Sequence, residues 1–330
     1  MRRRNFVMGF GGAAVTGALP AVAQQAKRLP VVGFVSPGAP LAELAGADPV
    51  NLPFRAILHG LRGFGWIEGQ TVVIERRSTD GDPQRAPAVA ADLLARGVDV
   101  IVLTGARWLQ DAARAATRTI PIVTHFPDDP VAAGLIDTLA RPGGNLTGIS
   151  SATGPEFHNK RLQRLAELAP RIARVAFLAP GRVLEQYRAV APPAGVTIVP
   201  MPVDADAQFV EAFASIRRER VDALMAGPSP YNYLRAREIA AFAAETRLPA
   251  IYAFRESVQA GGLMSYGPSI TGVFRQLARL VDKFLRGARI GDIPTELPTT
   301  FEMVINLKTT KALGLTITPL VRAQADEVIE

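Results

Sequence analysis

Ten positions carry most of what this chain offers for holding a small molecule: Ser36, Gly38, Thr104, Gly105, Asp128, Gly181, Ser229, Tyr252, Arg255 and Glu256. Each lies just beyond, or at the end of, a short apolar run that reads as a strand. Glycines expose backbone N–H groups there, and Ser and Thr add small hydroxyls. An Arg guanidinium suits a carboxylate and an Asp suits an ammonium, so the set fits a small polar or zwitterionic ligand. Trp108, Phe126, Tyr231 and Tyr252 are available as an apolar or aromatic wall. Plainer roles compete at each position. Ser36 and Thr104 could simply cap helices. Asp128-Asp129 ahead of Pro130 makes a good helix start, and Arg255-Glu256 a local ion pair.

Catalytic constellations are poorly represented. The chain has no Gly-x-Ser-x-Gly elbow, no phosphate loop ending in Gly-Lys and no His-Glu-x-x-His. Its three histidines, His59, His125 and His158, are far apart and show no metal-ligand spacing. His125 keeps a minor claim to an acid–base role because it follows a predicted strand and lies near Asp128. No enzyme activity, cofactor or metal is expected.

The elements that must position these residues are written twice. Val31–Ser36 and Val175–Ala179 are each stopped by Pro-Gly. Val98–Leu103 is answered by Val221–Ala226, and Ile120–Val123 by Leu248–Ile251. A further strand fits in each unit, Thr71–Glu75 and Val196–Val199. Between them, Ala86–Leu94 and Phe209–Ile216 space apolar residues as amphipathic helices do. Alternating strands and helices predict an α/β fold of two similar, doubly wound parallel-sheet lobes. Ligands of such sheets bind beyond the carboxyl ends of the strands, which is where the ten positions fall.

Near the end, Thr271–Arg286 reads as a long amphipathic helix, Pro294–Pro298 as an extended connector and Glu302–Asn306 as a strand. The helix would complete one lobe and the strand the other, giving a multi-crossing hinge. The expected boundaries are 30–150 plus 264–296 for lobe 1, and 151–263 plus 297–330 for lobe 2. Arg141-Pro142-Gly143-Gly144-Asn145 reads as a tight turn rather than a phosphate cradle.

The first 23 residues are set apart. Gly9-Phe10-Gly11-Gly12-Ala13-Ala14 imitates a dinucleotide fingerprint, but no strand precedes it and no amphipathic helix follows. Three arginines, a short apolar middle and Ala21-Val22-Ala23 spell a secretory signal peptide cleaved near Ala23. Arg3-Arg4-Asn5-Phe6-Val7 resembles a twin-arginine signal. A periplasmic location is therefore expected. The formal charge of +7 falls to +4 without Arg2, Arg3 and Arg4, and the remainder is spread out, so no nucleic-acid partner is expected. Hydrophobic content of 48% with 20% charged residues is that of a globular protein with a sizeable core. Cysteine is absent, which removes disulfides, thiol nucleophiles and cysteine metal sites together.

Several longer stretches carry a family resemblance. They are Asp129-Pro130-Val131 leading to Gly134-Leu135-Ile136, then Ala140–Gly148, Arg255-Glu256, Ala260–Gly267, and Ile305–Thr309 with Ala312–Leu315. Together they resemble the exported substrate-binding proteins of ABC transporters with the type I periplasmic-binding fold, a group related to aromatic amino acid carriers. The resemblance implies a monomeric solute-binding protein of an ABC importer that captures its ligand by hinge closure and meets a permease in the inner membrane. A periplasmic sensory receptor subunit of the same fold is the alternative, and an exported α/β enzyme a weaker one. One departure stands out. After Ala179-Pro180-Gly181 the family runs through an Asn-Pro-rich loop and a full helix, whereas here Arg182–Ala191 is brief and closed by Pro192-Pro193.

Overall fold

The computed structural model describes residues 28–151, 154 and 156–330, so the expected signal segment lies outside the described residues. The first lobe runs β1 (Val31–Ser36), α1 (Leu52–Gly63), β2 (Val73–Ser78), α2 (Ala86–Ala95), β3 (Val100–Leu103), α3 (Arg107–Ala116), β4 (Ile122–Phe126) and β5 (Leu146–Ser150). The second runs α4 (Glu156–Leu168), β6 (Arg174–Ala179), α5 (Gly181–Arg188), β7 (Thr197–Pro202), α6 (Phe209–Arg218) and β8 (Ala223–Ala226). It continues through α7 (Pro230–Leu234), α8 (Ala236–Glu245), β9 (Ala250–Tyr252), α9 (Arg255–Gln259) and β10 (Met264–Pro268). Then follow α10 (Ile270–Leu285), β11 (Phe301–Asn306), α11 (Leu307–Ala312), α12 (Pro319–Gln324) and β12 (Glu327–Ile329).

The first sheet has the order β2-β1-β3-β4-β5, all parallel. The second contains β7-β6-β8-β9-β10 in the same relative order, extended by β11 and β12. The repeated sequence grammar is therefore a repeated topology, and β10 is the second lobe's equivalent of β5. That differs from the expected lobe boundary at 264, which put Met264–Pro268 with the first lobe. The strand pairs in parallel with β9 and antiparallel with β11, inside the second sheet. An antiparallel neighbour far downstream, as in Met264 opposite Ile305, leaves no local mark on the strand that receives it.

The described chain passes between the lobes three times: after β5, between Pro268 and Ile270, and after the Glu296 bridge. Helix α10 returns to the first lobe because its apolar stripe, Val273, Phe274, Leu277, Leu280, Val281 and Phe284, belongs to that lobe's core beside Phe54, Ile57 and Leu61 of α1. Gly60 permits the approach, since a Cβ there would stand 2.5 Å from the Ala278 Cβ. The connector runs beside β5, with Ser150 N–H donating to the Glu296 carbonyl at 2.8 Å and Glu296 N–H to the Gly148 carbonyl at 2.9 Å. Gly143, at φ +68°, turns the chain into β5 where a Cβ would strike the Asp137 carboxylate at 2.2 Å. A side chain is excluded there twice over, by sterics and by backbone conformation.

Candidate functional site

Both sheets point their carboxyl ends at one cleft. Its inner part holds about 570 Å³ of space, counting its open mouth, and both lobes line it. The ends of β1, β3 and β4 and the loops after them contribute Ser36, Gly38, Thr104, Gly105, His125 and Pro127. The second lobe contributes Ser229, Pro230, Tyr233, Leu234 and Phe254, and α10 brings Ile270 and Phe274 to the floor. None of the lining side chains carries an obligatory charge.

Local structure explains how these groups are held. Ser36 Oγ accepts the Ala39 N–H at 2.9 Å, and Ser229 Oγ accepts the Tyr231 N–H at 3.2 Å as the N-cap of α7. Ser229 thus caps a helix and lines the cleft at once, whereas Ser36 closes a turn and Thr104 caps nothing, the N-cap of α3 being Ala106. Gly105 adopts φ +59°, and a Cβ there would sit 3.2 Å from His125 Nδ1. Helix α3 begins just beyond it, and its N-cap, Ala106, supplies no side-chain acceptor. The first N–H groups of a helix have no partner within it, so this terminus presents donors and a partial positive charge. Ala106, Arg107 and Trp108, where it starts, line the adjoining outer part of the cleft. His125 is 6% exposed, and its Nε2 shares a 2.8 Å hydrogen bond with Ser151 Oγ. Burial lowers its pKa to about 4, so the imidazole is neutral.

The outer cleft is different in kind. Arg107, Trp108, Asp128, Arg182, Asp204 and Tyr231 surround it. Asp128 of the first lobe is paired with Arg182 of the second. Burial raises the Asp128 pKa, opposed by the Arg182 charge. The Gly181 N–H bonds to both Asp204 oxygens, at 3.1 and 3.2 Å, so Gly181 serves the start of α5 beside Arg182.

Four of the ten sequence-selected residues do not line the cleft: Gly181, whose N–H is taken by Asp204, and three that lie elsewhere. Tyr252 is a core residue, 1% exposed, with Gly262 against its ring. Arg255 reaches Glu302 at 3.1 Å and Glu327 at 2.5 Å, tying α9 to β11 and β12 rather than facing the cleft. Glu256 stands behind the inner wall, near Tyr233, with Oε2 unpartnered and its pKa pushed up to about 7 by burial. All three stand at or just past a strand's end, but that position does not say which way a side chain turns. Tyr252 packs with Leu224 and Phe242 in the core, and Arg255 turns to β11 and β12, which extend the sheet. Phe126, another expected wall, is likewise core at 1% exposure. The sequence reading missed Tyr233, Leu234 and Phe274. Tyr233 and Leu234 were detectable as residues following the Ser229-Pro230 helix start; Phe274 was not, because its helical spacing marks it only as core. Among the described residues, no group of three or more His, Asp or Glu side chains is arranged to hold a metal ion.

A family profile described as "ABC transporter substrate binding protein" matches residues 47–329. The chain belongs to the ABC transporter substrate-binding protein family. This substrate-binding protein is 23% identical, over 83% of its length and 80% of the relative's, to a tyrosine-binding protein of Clostridioides difficile (strain R20291). Its structure is similar, at a TM-score of 0.80 and 22% identity over 92% of this chain and all of the other, to an ABC domain from Streptococcus pneumonia in complex with L-Trp. A conserved domain protein from Vibrio cholerae matches equally well, at a TM-score of 0.80 and 23% identity over 91% of this chain and all of that one. The architecture is that of the type I periplasmic binding proteins. No helix of the described residues is long and apolar enough to cross a membrane.

Proposed function

We propose that this substrate-binding protein captures a small carboxylate or zwitterionic solute with an apolar, aromatic body, an aromatic amino acid in the leading case. It would deliver that solute to the permease of an ABC importer on the outer face of the cytoplasmic membrane. The observation that carries the reading is the inner cleft, assembled from both lobes, aromatic along its wall and floor, and uncharged. Such a surface favours burial of an aromatic side chain at about 25 cal/mol per Å² of apolar area. The uncapped N-terminus of α3, with Thr104 and Gly105, would receive the carboxylate through N–H groups and a hydroxyl. Asp128 lies at the outer end for an ammonium.

Closure follows from the same geometry, because a ligand touching both lobes stabilises the arrangement in which both are near. Leu234 of the second lobe already lies against Gly38 of the first, where a Cβ would be 3.0 Å from its Cδ1. The neutral His125 bonds to Ser151 rather than to Asp128.

The test is a thermal-shift screen of the chain from Gln24 onward against the twenty amino acids, benzoate, indole-3-propionate, and panels of sugars and polyamines. A ligand that binds only the native state raises the melting temperature. The expected result is a shift with aromatic amino acids that Gly105→Val abolishes by filling the cleft. A shift from sugars or polyamines alone, or one unchanged in Gly105→Val, would overturn the reading.

A further inference from the structure

We propose that Arg182 is a positioning residue whose ion pair with Asp128 draws the two lobes together before any ligand arrives, so that the unliganded chain already populates the closed arrangement. The inference rests on the hinge-closure part of the function proposed above, and it adds a cause of closure that belongs to the protein alone.

Arg182 is in an unusual place for a cation. It is the second residue of α5, in the first turn, where the exposed N–H groups make a positive charge unfavourable. Asp204 satisfies that terminus from within the same lobe through the Gly181 N–H. The guanidinium then reaches out of its own lobe to Asp128, 54 positions earlier in sequence and on the loop after β4. Nothing in the stability of α5 calls for this contact. It links elements that otherwise meet only across the cleft.

The pair is also poorly hydrated, the Asp128 side chain being 12% and the Arg182 side chain 34% exposed. Attraction between charges strengthens as water is excluded, and so does the cost of removing them from it. Here the compensation is incomplete, because Asp128 Oδ1 and Arg182 Nη1 are both buried without a partner. Opening the cleft would hydrate both atoms. The pair therefore biases the equilibrium without locking it, as a carrier that must also release its cargo requires.

The other charges facing Asp128 do not substitute for Arg182. Asp204 repels it. Arg107 attracts it, but belongs to the same lobe and is engaged with Asp111 at 2.8 Å and the Ala133 carbonyl at 2.7 Å. Arg182 is thus the cross-lobe cation of this cluster.

The absence of cysteine allows a clean measurement. Val50 on the first lobe and Val210 on the second are 73% and 80% exposed, and Val50→Cys with Val210→Cys accepts a pair of nitroxide labels. Pulsed electron–electron distances are then read without ligand. The expected result is a short-distance population in the labelled parent that Arg182→Gln and Asp128→Asn both shift to longer distance. The double variant should go no further than either single one, since the two residues act as one pair. Arg182→Lys should restore part of the short population, which a purely structural defect would not. A parent showing only the long distance, or an Arg182→Gln distribution unchanged from the parent, would overturn the proposal. Because the distances are measured without solute, a failed ligand screen does not change what they mean, and a successful one cannot stand in for them.

Discussion

The inner and outer parts of the cleft adjoin, yet they are built on opposite principles. The inner part is aromatic and uncharged, and its nearest titratable groups, His125 and Glu256, have pKa values shifted toward their neutral forms. The outer part gathers Arg107, Asp128, Arg182 and Asp204, with Trp108 and Tyr231 beside them. Only the inner part can offer a large apolar contact to a ligand, and only the outer part can attract charges between lobes. Apolar contact and interlobe attraction thus fall in different parts of the cleft, with Asp128 alone given a part in both ligand binding and closure.

The largest expected effect is on the inner wall. Phe254, 5% exposed, packs edge-on against Tyr233 at a centroid distance of 5.8 Å. Phe254→Ala should lower unfolding free energy by about 3–5 kcal/mol in denaturant titration, through lost burial and the cavity left behind. Trp108→Ala in the outer cleft should cost clearly less, since Trp108 is only half-buried. Equal costs would erase the distinction between the two parts.

Glu256 tests whether the inner region rejects charge. Its folded pKa, about 7, lies above the ordinary 4.5, so the native state holds this proton more tightly than the unfolded one. Its contribution is therefore intact at low pH and lost as pH rises through about 7, where a buried carboxylate must ionise beside Glu302. Arg255 offsets part of that cost from the same helix. Glu256→Gln should stabilise the protein at pH 8 by up to about 3 kcal/mol and by almost nothing near pH 3.5, below the ordinary carboxylate range. A pH-independent effect would place Glu256 in water.

His125 works in the opposite direction. Its folded pKa, about 4, lies below the ordinary 6.5, so the unfolded chain binds more protons between these values. Stability should fall as pH drops from about 6.5 toward 4, with a slope of at most about 1.4 kcal/mol per pH unit from this group. His125→Gln should flatten that slope in melting curves across this range. His158, also lowered by burial, will keep some of it.

The smallest stability effect belongs to the outer pair. Opening of the cleft can return the Asp128 carboxylate to water, so Arg182→Gln should change unfolding free energy by less than about 1 kcal/mol, against the roughly 3–5 kcal/mol expected if Asp128 stayed buried without its partner. Its effect should appear in the interlobe distance instead. A large loss of stability would make the pair a structural brace.

Much of the fold was legible because its signals are local. Runs such as Val175–Ala179, stopped by Pro-Gly, are too apolar and too short for anything but buried parallel strands, and their order repeats in the sheets. The helix predicted at 271–286 is α10 at Ile270–Leu285, because its apolar stripe has helical period. Edge strands were less well defined. The strand expected at 71–75 is β2 at Val73–Ser78, which ends Arg76-Arg77-Ser78 because one side of an edge strand lies open to water. The candidate site was legible by the same rule where strands meet loops, which brought Ser36, Gly38, Thr104, Gly105 and Ser229 into one cleft.

Residue types and spacing alone determined that two alternating α/β units exist, that their loops are rich in hydroxyls and glycines, and that a helix and a strand return late in the chain. Those properties depend on period and composition, which act over a few residues. Only the tertiary structure decided which late element joins which lobe, that Arg255 is held by Glu302 and Glu327 away from the cleft, and that Phe274 forms its floor. It also decided that Asp128 meets Arg182. These outcomes depend on contacts between residues tens to hundreds of positions apart, set by how strands pair and sheets stack, and no short stretch of sequence encodes them by itself.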